Sequence, residues 1–398
     1  MLGRYDDDLD RLNAAWGTSF IQASEITLPE VQIPTGIEGF RADERTQPGR
    51  FDVSTPQLRR QWLDFIAWYR GAMNDLATMW MTTTRNVFPD HPIYLCTGGD
   101  APPEQGAHFG DQCRLAAAVG GGVRITNEAS NYAHNFAITR WVTSAGRFHG
   151  AYTGIEPAGG VNEFGVTCRI FNAVASGAKN LHFYAPNIVH HRETIDAWNA
   201  AFAKIQIESP ILDVAFFHPD TSIMLGLRPT GAVFGQVGVL RDMTDLDFVD
   251  DGMIAAGVLD RFRVLIMTHA PVVERPALDS IDAWLASGGV LVLLGDDGIE
   301  SVEGEPWTPV GTVIRTDMFG DDPVHNGSVA AAITGSLAAN GCPLIDGELD
   351  NVFVSQVEGK LLVLNHGRGD VSRELHLPAG GTAEVWLPAN AIVEVPLA

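Results

Sequence analysis

Two apolar periods alternate along the chain. Four segments of strand character begin at residues 93, 123, 151 and 180: Ile93-Tyr94-Leu95-Cys96, Val123-Arg124-Ile125-Thr126-Asn127-Glu128, Ala151-Tyr152-Thr153-Gly154-Ile155-Glu156 and Asn180-Leu181-His182-Phe183-Tyr184. Their near-equal spacing is the length of one strand, one helix and two short connections. Helical runs are predicted between them, over Cys113 to Val119, Phe136 to Phe148 and Phe164 to Ala175, and after the last one, over Thr194 to Ile205. Regular βα units of this kind suit a (β/α)8 barrel, which needs eight. Only four are visible, so the pattern predicts half of such a barrel over 1–208.

Upstream, Leu9, Leu12 and Trp16 share a helical face behind the acidic start Asp6-Asp7-Asp8, and Gly17 can cap the end. Residues 18 to 54 carry prolines and glycines without sustained periodicity and read as a covering loop. Thr55-Pro56 then opens a long amphipathic helix with Leu58, Trp62, Phe65, Ile66, Tyr69, Met73, Leu76 and Trp80 on its apolar face. Downstream, Val214-Phe217, Val264-Met267 and Val290-Leu294, with a helix marked by Leu278, Ile281 and Leu285, predict a smaller Rossmann-like α/β domain over 209–330. It has no Gly-x-Gly-x-x-Gly turn and no cysteine, so neither a dinucleotide site nor an amidotransferase nucleophile is expected there. Alternating short strands with a Glu358-Gly359-Lys360 turn predict a small β-sandwich over 331–398.

Length and charge narrow the function. At 398 residues, two to three domains are expected. The formal charge of −23 repels phosphate backbones and anionic lipid, so neither nucleic acid nor membrane is an expected partner. No apolar run behind a basic start follows Met1, which favours a cytoplasmic location. Only Lys179, Lys204 and Lys360 are lysines, a skew given little weight. Cys96, Cys113, Cys168 and Cys342 form no Cys-x-x-Cys pair and read as buried free thiols. No metal site and no cofactor is expected, the histidines His190 and His191 having no third convergent ligand.

In barrel enzymes the reacting groups stand at the carboxyl ends of strands, where loops form a cleft. The polar residues so placed are Asp100, Asn127 with Glu128, Glu156, and Asn187 with His190 and His191. Two strand-end carboxylates in one cleft, Glu128 and Glu156, are the inventory for acid/base or nucleophilic work on a glycosidic bond. Tyr132 and Tyr184 could stack on sugar faces, whereas Trp141 and Trp198 lie at helical spacing and read as core.

One segment carries a specific resemblance. Leu12-Asn13-Ala14-Ala15-Trp16-Gly17-Thr18-Ser19-Phe20 resembles the Leu-Asn-x-x-Trp-Gly-Thr-x-Phe segment that follows the fourth strand in family 42 glycoside hydrolases, the β-galactosidase family of clan A. The order of half barrel, Rossmann-like domain and small β domain is also similar, and Gly154-Ile155-Glu156-Pro157 gives a second local match. The resemblance implies that the four strands are the fifth to eighth of the barrel and that Glu156, closing the seventh, is the nucleophile of a retaining hydrolase of small β-galactosides. It further implies a homotrimer formed by the middle domain. The family's acid/base, in an Asn-Glu pair closing strand four, would precede the sequence in hand, so a separate polypeptide carrying the N-terminal half barrel is expected as partner, a truncated or processed product and a rebuilt barrel being the alternatives. Asn127-Glu128 imitates that pair but closes strand six, where a hydrogen bond to a substrate hydroxyl is expected and direct acid catalysis is the alternative. Asn127, Tyr132, Tyr184, Asp100 and Asn187 complete the expected sugar-binding set. A non-catalytic subunit that binds a partner or sugar is the rival reading.

Overall fold

The computed structural model describes residues 1–27, 52–97, 103, 106–126, 130–156, 160–181, 188–205, 208–295, 298–342, 351–378 and 381–397. Helix α1 (Leu9–Trp16) begins at Asp8, whose carboxylate accepts the Asp10 and Arg11 amides, and ends at Gly17 in the left-handed region, φ 66°. The Leu-Asn-x-x-Trp-Gly-Thr-x-Phe segment is a structural staple. Asn13 Oδ1 accepts from Thr18 Oγ1 (2.7 Å) and the Phe20 amide (2.9 Å), while its Nδ2 donates to the Phe20 carbonyl (2.9 Å). Trp16 Nε1 donates to the buried Asp64 carboxylate (2.8 Å), pinning α1 to the next helix.

Helix α2 (Pro56–Val87) starts as the sequence predicts, with Thr55 Oγ1 capping the Leu58 amide and Pro56 in the first turn. Its apolar stripe divides in two. Trp62, Leu63 and Ile66 are buried against Met224, Leu225, Val272 and Val302, and Arg60 forks onto Glu274 with two bonds of 2.9 Å. Beyond Ile66 the same stripe is largely bare: Tyr69, Met73, Leu76, Met79 and Trp80 are exposed, Trp80 at 61%.

A parallel sheet of order β1-β2-β3-β4 follows, built from Tyr94–Thr97, Gly122–Thr126, Tyr152–Glu156 and Asn180–Leu181. Helices α3 (Phe109–Ala118), α4 (Tyr132–His149), α5 (Glu163–Ala175) and α6 (Arg192–Phe202) alternate with these strands. Their ends are the predicted ones to within a few residues; the His182–Tyr184 part of the fourth segment lies outside the described residues. Val123, Ile125 and Ile155 on one sheet face are buried in the helix layer, as β-strand alternation requires.

The second sheet is also parallel, ordered β12-β9-β7-β5-β6, with β5 (Val214–Phe217), β6 (Asp247–Val249), β7 (Val264–Thr268), β9 (Val290–Leu294) and β12 (Thr312–Thr316). Between β7 and β12 lie the short strands β8 (Val272–Val273), β10 (Ile299–Ser301) and β11 (Pro306–Trp307), which form a small sheet of their own. Helices α7 (Asp220–Met224), α8 (Thr230–Arg241), α9 (Asp251–Ala255) and α10 (Arg275–Ala286) connect its strands. The two large sheets share one apolar core through α4, which is buried on nearly every side. Trp141 lies there as expected for a core residue, stacked on His218 with ring centroids 3.8 Å apart. Arg140, fully buried, donates to the Leu246 carbonyl (3.0 Å), Ser176 Oγ (3.0 Å) and Asp245 Oδ1 (3.0 Å), binding the two layers together.

Helix α11 (Pro323–Ala339) spans the boundary between residues 330 and 331 that the sequence reading sets. Its Ala- and Gly-rich sequence has almost no apolar periodicity to reveal it. From Val352 the chain is antiparallel: β13 (Val352–Val357), β14 (Lys360–Asn365) and β17 (Ala391–Pro396) form one sheet, and the hairpin β15 (Val371–His376) with β16 (Thr382–Leu387) forms another. Val352, Leu361, Val363, Leu375 and Leu387 fill the space between them. Gly359 makes the predicted turn at φ 75°. The overall class is thus mixed α/β with parallel sheets and a β-rich C-terminal part. No described helix is long and apolar enough to cross a membrane.

Candidate active site

The first sheet has one face packed on helices, and among the described residues no element covers the other, the open face. Strand pairing puts Thr126 opposite Glu156, Arg124 opposite Gly154 and Tyr94 in line with Gly122 and Tyr152. Because side chains alternate, Tyr94, Cys96, Arg124, Thr126, Tyr152, Glu156 and Asn180 share the open face. It is a polar and aromatic surface. Among the described residues, the neighbouring exposed apolar side chains are on α2 and not on this sheet face. Cys96 is exposed on this face, against the expectation of burial, because β1 is an edge strand; Cys113, Cys168 and Cys342 are buried free thiols.

Glu156 closes β3 at its carboxyl end, its side chain 15% exposed. Arg124 Nη2 lies 2.6 Å from Glu156 Oε2, a charge-assisted bond that compensates and orients the carboxylate. Behind the pair, Tyr94 and Tyr152 meet edge to face at 5.0 Å, and Tyr152 Oη donates to the Ile93 carbonyl (2.5 Å). Burial raises both phenols above their ordinary pKa. A fixed, anionic carboxylate at a strand end with an open approach can attack an electrophilic carbon or hold a cationic centre.

Among the expected site residues, Glu156 stands on the open face. Asp100, Asn127, Glu128, Tyr184 and Asn187 lie outside the described residues. Tyr132 is elsewhere: it opens α4 and is 6% exposed, its ring stacked on Phe353 of β13 with centroids 3.5 Å apart. It packs the C-terminal strands onto the helix layer, since the first turn of α4 lies on the helix side of the sheet, and burial pushes its phenol well above the ordinary range. Sequence reasoning passed over Arg124. Its signal was an arginine two residues before the end of a β2 strand otherwise made of apolar residues and Thr126, in phase with the strand-end carboxylate beside it.

A second group of reactive side chains, unanticipated in the sequence, lies between the sheets: His108, Asp220 and Asp250, all buried, with one ligand-type atom from each within 4.8 Å of the others.

No family model matches the sequence, and no curated protein aligns with it. Solved structures do match in fold. A β-galactosidase from the Antarctic haloarchaeon Halorubrum lacusprofundi superposes with a TM-score of 0.67 at 13% identity, over 100% of this chain and 75% of that one. A catalytic mutant of Gan42B, a GH42 β-galactosidase from G. stearothermophilus, gives 0.62 at 12% identity over 100% and 75%. An apo exo-carrageenase of GH42 from Bacteroides ovatus gives 0.65 at 13% over 100% of this chain and 62% of its own, so the chain spans less than two thirds of that protein. The chain has, throughout its length, the fold of the corresponding part of these GH42 structures.

Proposed function

We propose that the chain is the nucleophile-bearing part of a retaining glycoside hydrolase acting on β-galactosides or related small β-glycosides. The observation that carries this reading is Glu156, compensated by Arg124, at the carboxyl end of the third strand of an open parallel sheet. Glu156 attacks the anomeric carbon, forming a glycosyl-enzyme ester as the leaving oxygen is protonated, and water then releases the sugar. Arg124 holds the attacking oxygen in place. Glu128 accepts a hydrogen bond from a sugar hydroxyl, and the acid/base comes from four further βα units outside this sequence, on a second polypeptide.

The exposed stripe Tyr69, Met73, Leu76, Met79 and Trp80 on α2 supports that partner, because an apolar face beside β1, an edge strand among the described residues, is what a neighbouring βα unit would cover. The matched structures extend beyond this chain by a quarter or more of their length, which leaves room for such units in the same fold. The second sheet assembles the completed protein as a homotrimer.

The test is turnover of an aryl β-galactoside by the completed assembly. Glu156→Gln is expected to lower it by roughly 10³-fold or more, the scale of losing a covalent nucleophile, and a 2-fluoro galactosyl donor is expected to label the peptide containing Glu156. Full turnover by Glu156→Gln would falsify the assignment.

A further inference from the structure

His108, Asp220 and Asp250 come from three places. His108 is the N-cap of α3, Asp220 follows β5 and Asp250 follows β6. Strand β5 lies between β6 and β7, so the chain leaves it first to one side and then to the other. The carboxyl ends of strands at such a reversal are where open α/β sheets bind ligands, because the departing connections part there and leave a crevice. Both aspartates stand at that point.

Their geometry is sized for a cation. His108 Nε2 lies 2.9 Å from Asp220 Oδ2 and 3.5 Å from Asp250 Oδ2. Ligands bonded at about 2.0–2.2 Å to one first-row dication sit about 3.0–3.5 Å apart. Each ligand is held by its other polar atom. Asp220 Oδ1 is tied to His218 Nδ1 (2.5 Å), Asp250 Oδ1 accepts the Met253 amide (2.8 Å), and His108 Nδ1 accepts the Asp111 amide (3.1 Å), with the Asp111 carboxylate 3.7 Å away. With an ion on Nε2 the ring would carry its proton on Nδ1, exchanging the bond it accepts from the Asp111 amide for one donated to the Asp111 carboxylate nearby.

A separate observation points to an absent ligand: Asp250 Oδ2 has no hydrogen-bond partner although the residue is 1% exposed. A buried carboxylate oxygen left unpaired is costly. A cavity of about 320 Å³, lined by Arg70, His108, Asp111, Asp220 and Thr221, reaches two of the three ligands and supplies both a path in and space for water ligands.

We propose that His108, Asp220 and Asp250 bind one divalent transition cation, of Zn2+ or Mn2+ type, that clamps α3 of the first layer onto the second sheet. One imidazole nitrogen and two carboxylates suit these ions and neutralise their charge. The cation takes the place of the Nε2 proton that otherwise lies between the carboxylates. The site is separate from Glu156 and its role is structural.

The full chain, stripped with a chelator, is loaded with ZnCl2 or MnCl2, desalted, and its metal counted by mass spectrometry beside a melting curve. One cation per chain is expected, with a higher melting midpoint in the loaded protein. Asp250→Asn, which keeps the Met253 cap, and His108→Gln should each lose both the cation and the rise. Retention of no cation by the wild type, or undiminished retention by both variants, overturns the proposal and leaves a dry ion pair.

Discussion

Glu156 and Arg124 sit on adjacent strands with their charged ends 2.6 Å apart, and the guanidinium is the more exposed partner, at 30%. Replacing it should leave the backbone intact and free the carboxylate to turn. Arg124→Gln is accordingly expected to lower turnover of the completed enzyme by about 10- to 100-fold, the worth of one charge-assisted bond, with an unchanged circular dichroism spectrum and partial recovery in Arg124→Lys. A different residue sets a pH dependence. Asp242 ends α8, where the helix dipole disfavours a negative charge, and burial raises its pKa to about 6 against the pull of Arg241. A folded pKa above the unfolded one means that the folded state holds the proton more tightly. The favourable contribution is present in full below about pH 4 and is lost as pH rises through 6. Asp242→Asn should therefore stabilise the protein at pH 7.5 by on the order of 1 kcal/mol, discounted for partial exposure, and show no advantage at pH 4. Urea midpoints at the two pH values check this.

At the scale of elements, α2 changes its surroundings along its length. Its first turns are committed, with Trp62 and Ile66 buried, Trp62 Nε1 donating to the Met224 carbonyl (2.7 Å) and Arg59 on Glu300 (2.6 Å). Its later turns expose the stripe that ends at Trp80. Substitutions there touch little of the folded chain. Met73→Ser with Trp80→Ser is expected to change the chain's own stability by about 0.5 kcal/mol or less per site, yet to weaken association with the remaining barrel units sharply, since buried aromatic anchors dominate such interfaces. Melting curves and sedimentation of the mixed polypeptides separate the two effects. A fall in stability as large as that for a buried tryptophan would mean that the chain itself covers this face.

Across the whole molecule, α4 is the shared wall between the two parallel sheets, and Arg140 is its principal polar tie. The guanidinium is fully buried and is paired with Asp245, which Arg241 also approaches at 3.6 Å. Burial lowers the Arg140 pKa, the Asp245 and Asp247 charges oppose that shift, and the Arg147 and Arg241 charges add to it. Removing one member of such a network leaves buried charge and open carbonyls behind. Arg140→Met should cost about 3–5 kcal/mol and be visible as a lower guanidinium-chloride midpoint, with loss felt in both sheets, because they share one core.

The sequence alone determined the local order: period-two segments of β2 and β3, the Thr55-Pro56 start of α2, Gly17 and Gly359 at left-handed turns, and Glu156 as a strand-end carboxylate. These follow from backbone and side-chain preferences that act within a few residues. Short β6 and Ala-rich α11 gave no such periodicity and emerge only from the fold. Tertiary structure also decided which faces are covered. Tyr132 lies under Phe353 instead of beside a sugar, the α2 stripe is buried in its first half and bare in its second, and Arg124 meets Glu156 because two strands pair in one register. His108, Asp220 and Asp250 converge only once α3 packs against the ends of β5 and β6. His108 stands more than a hundred positions from both aspartates, so their meeting depends on how layers stack, and no local pattern encodes it.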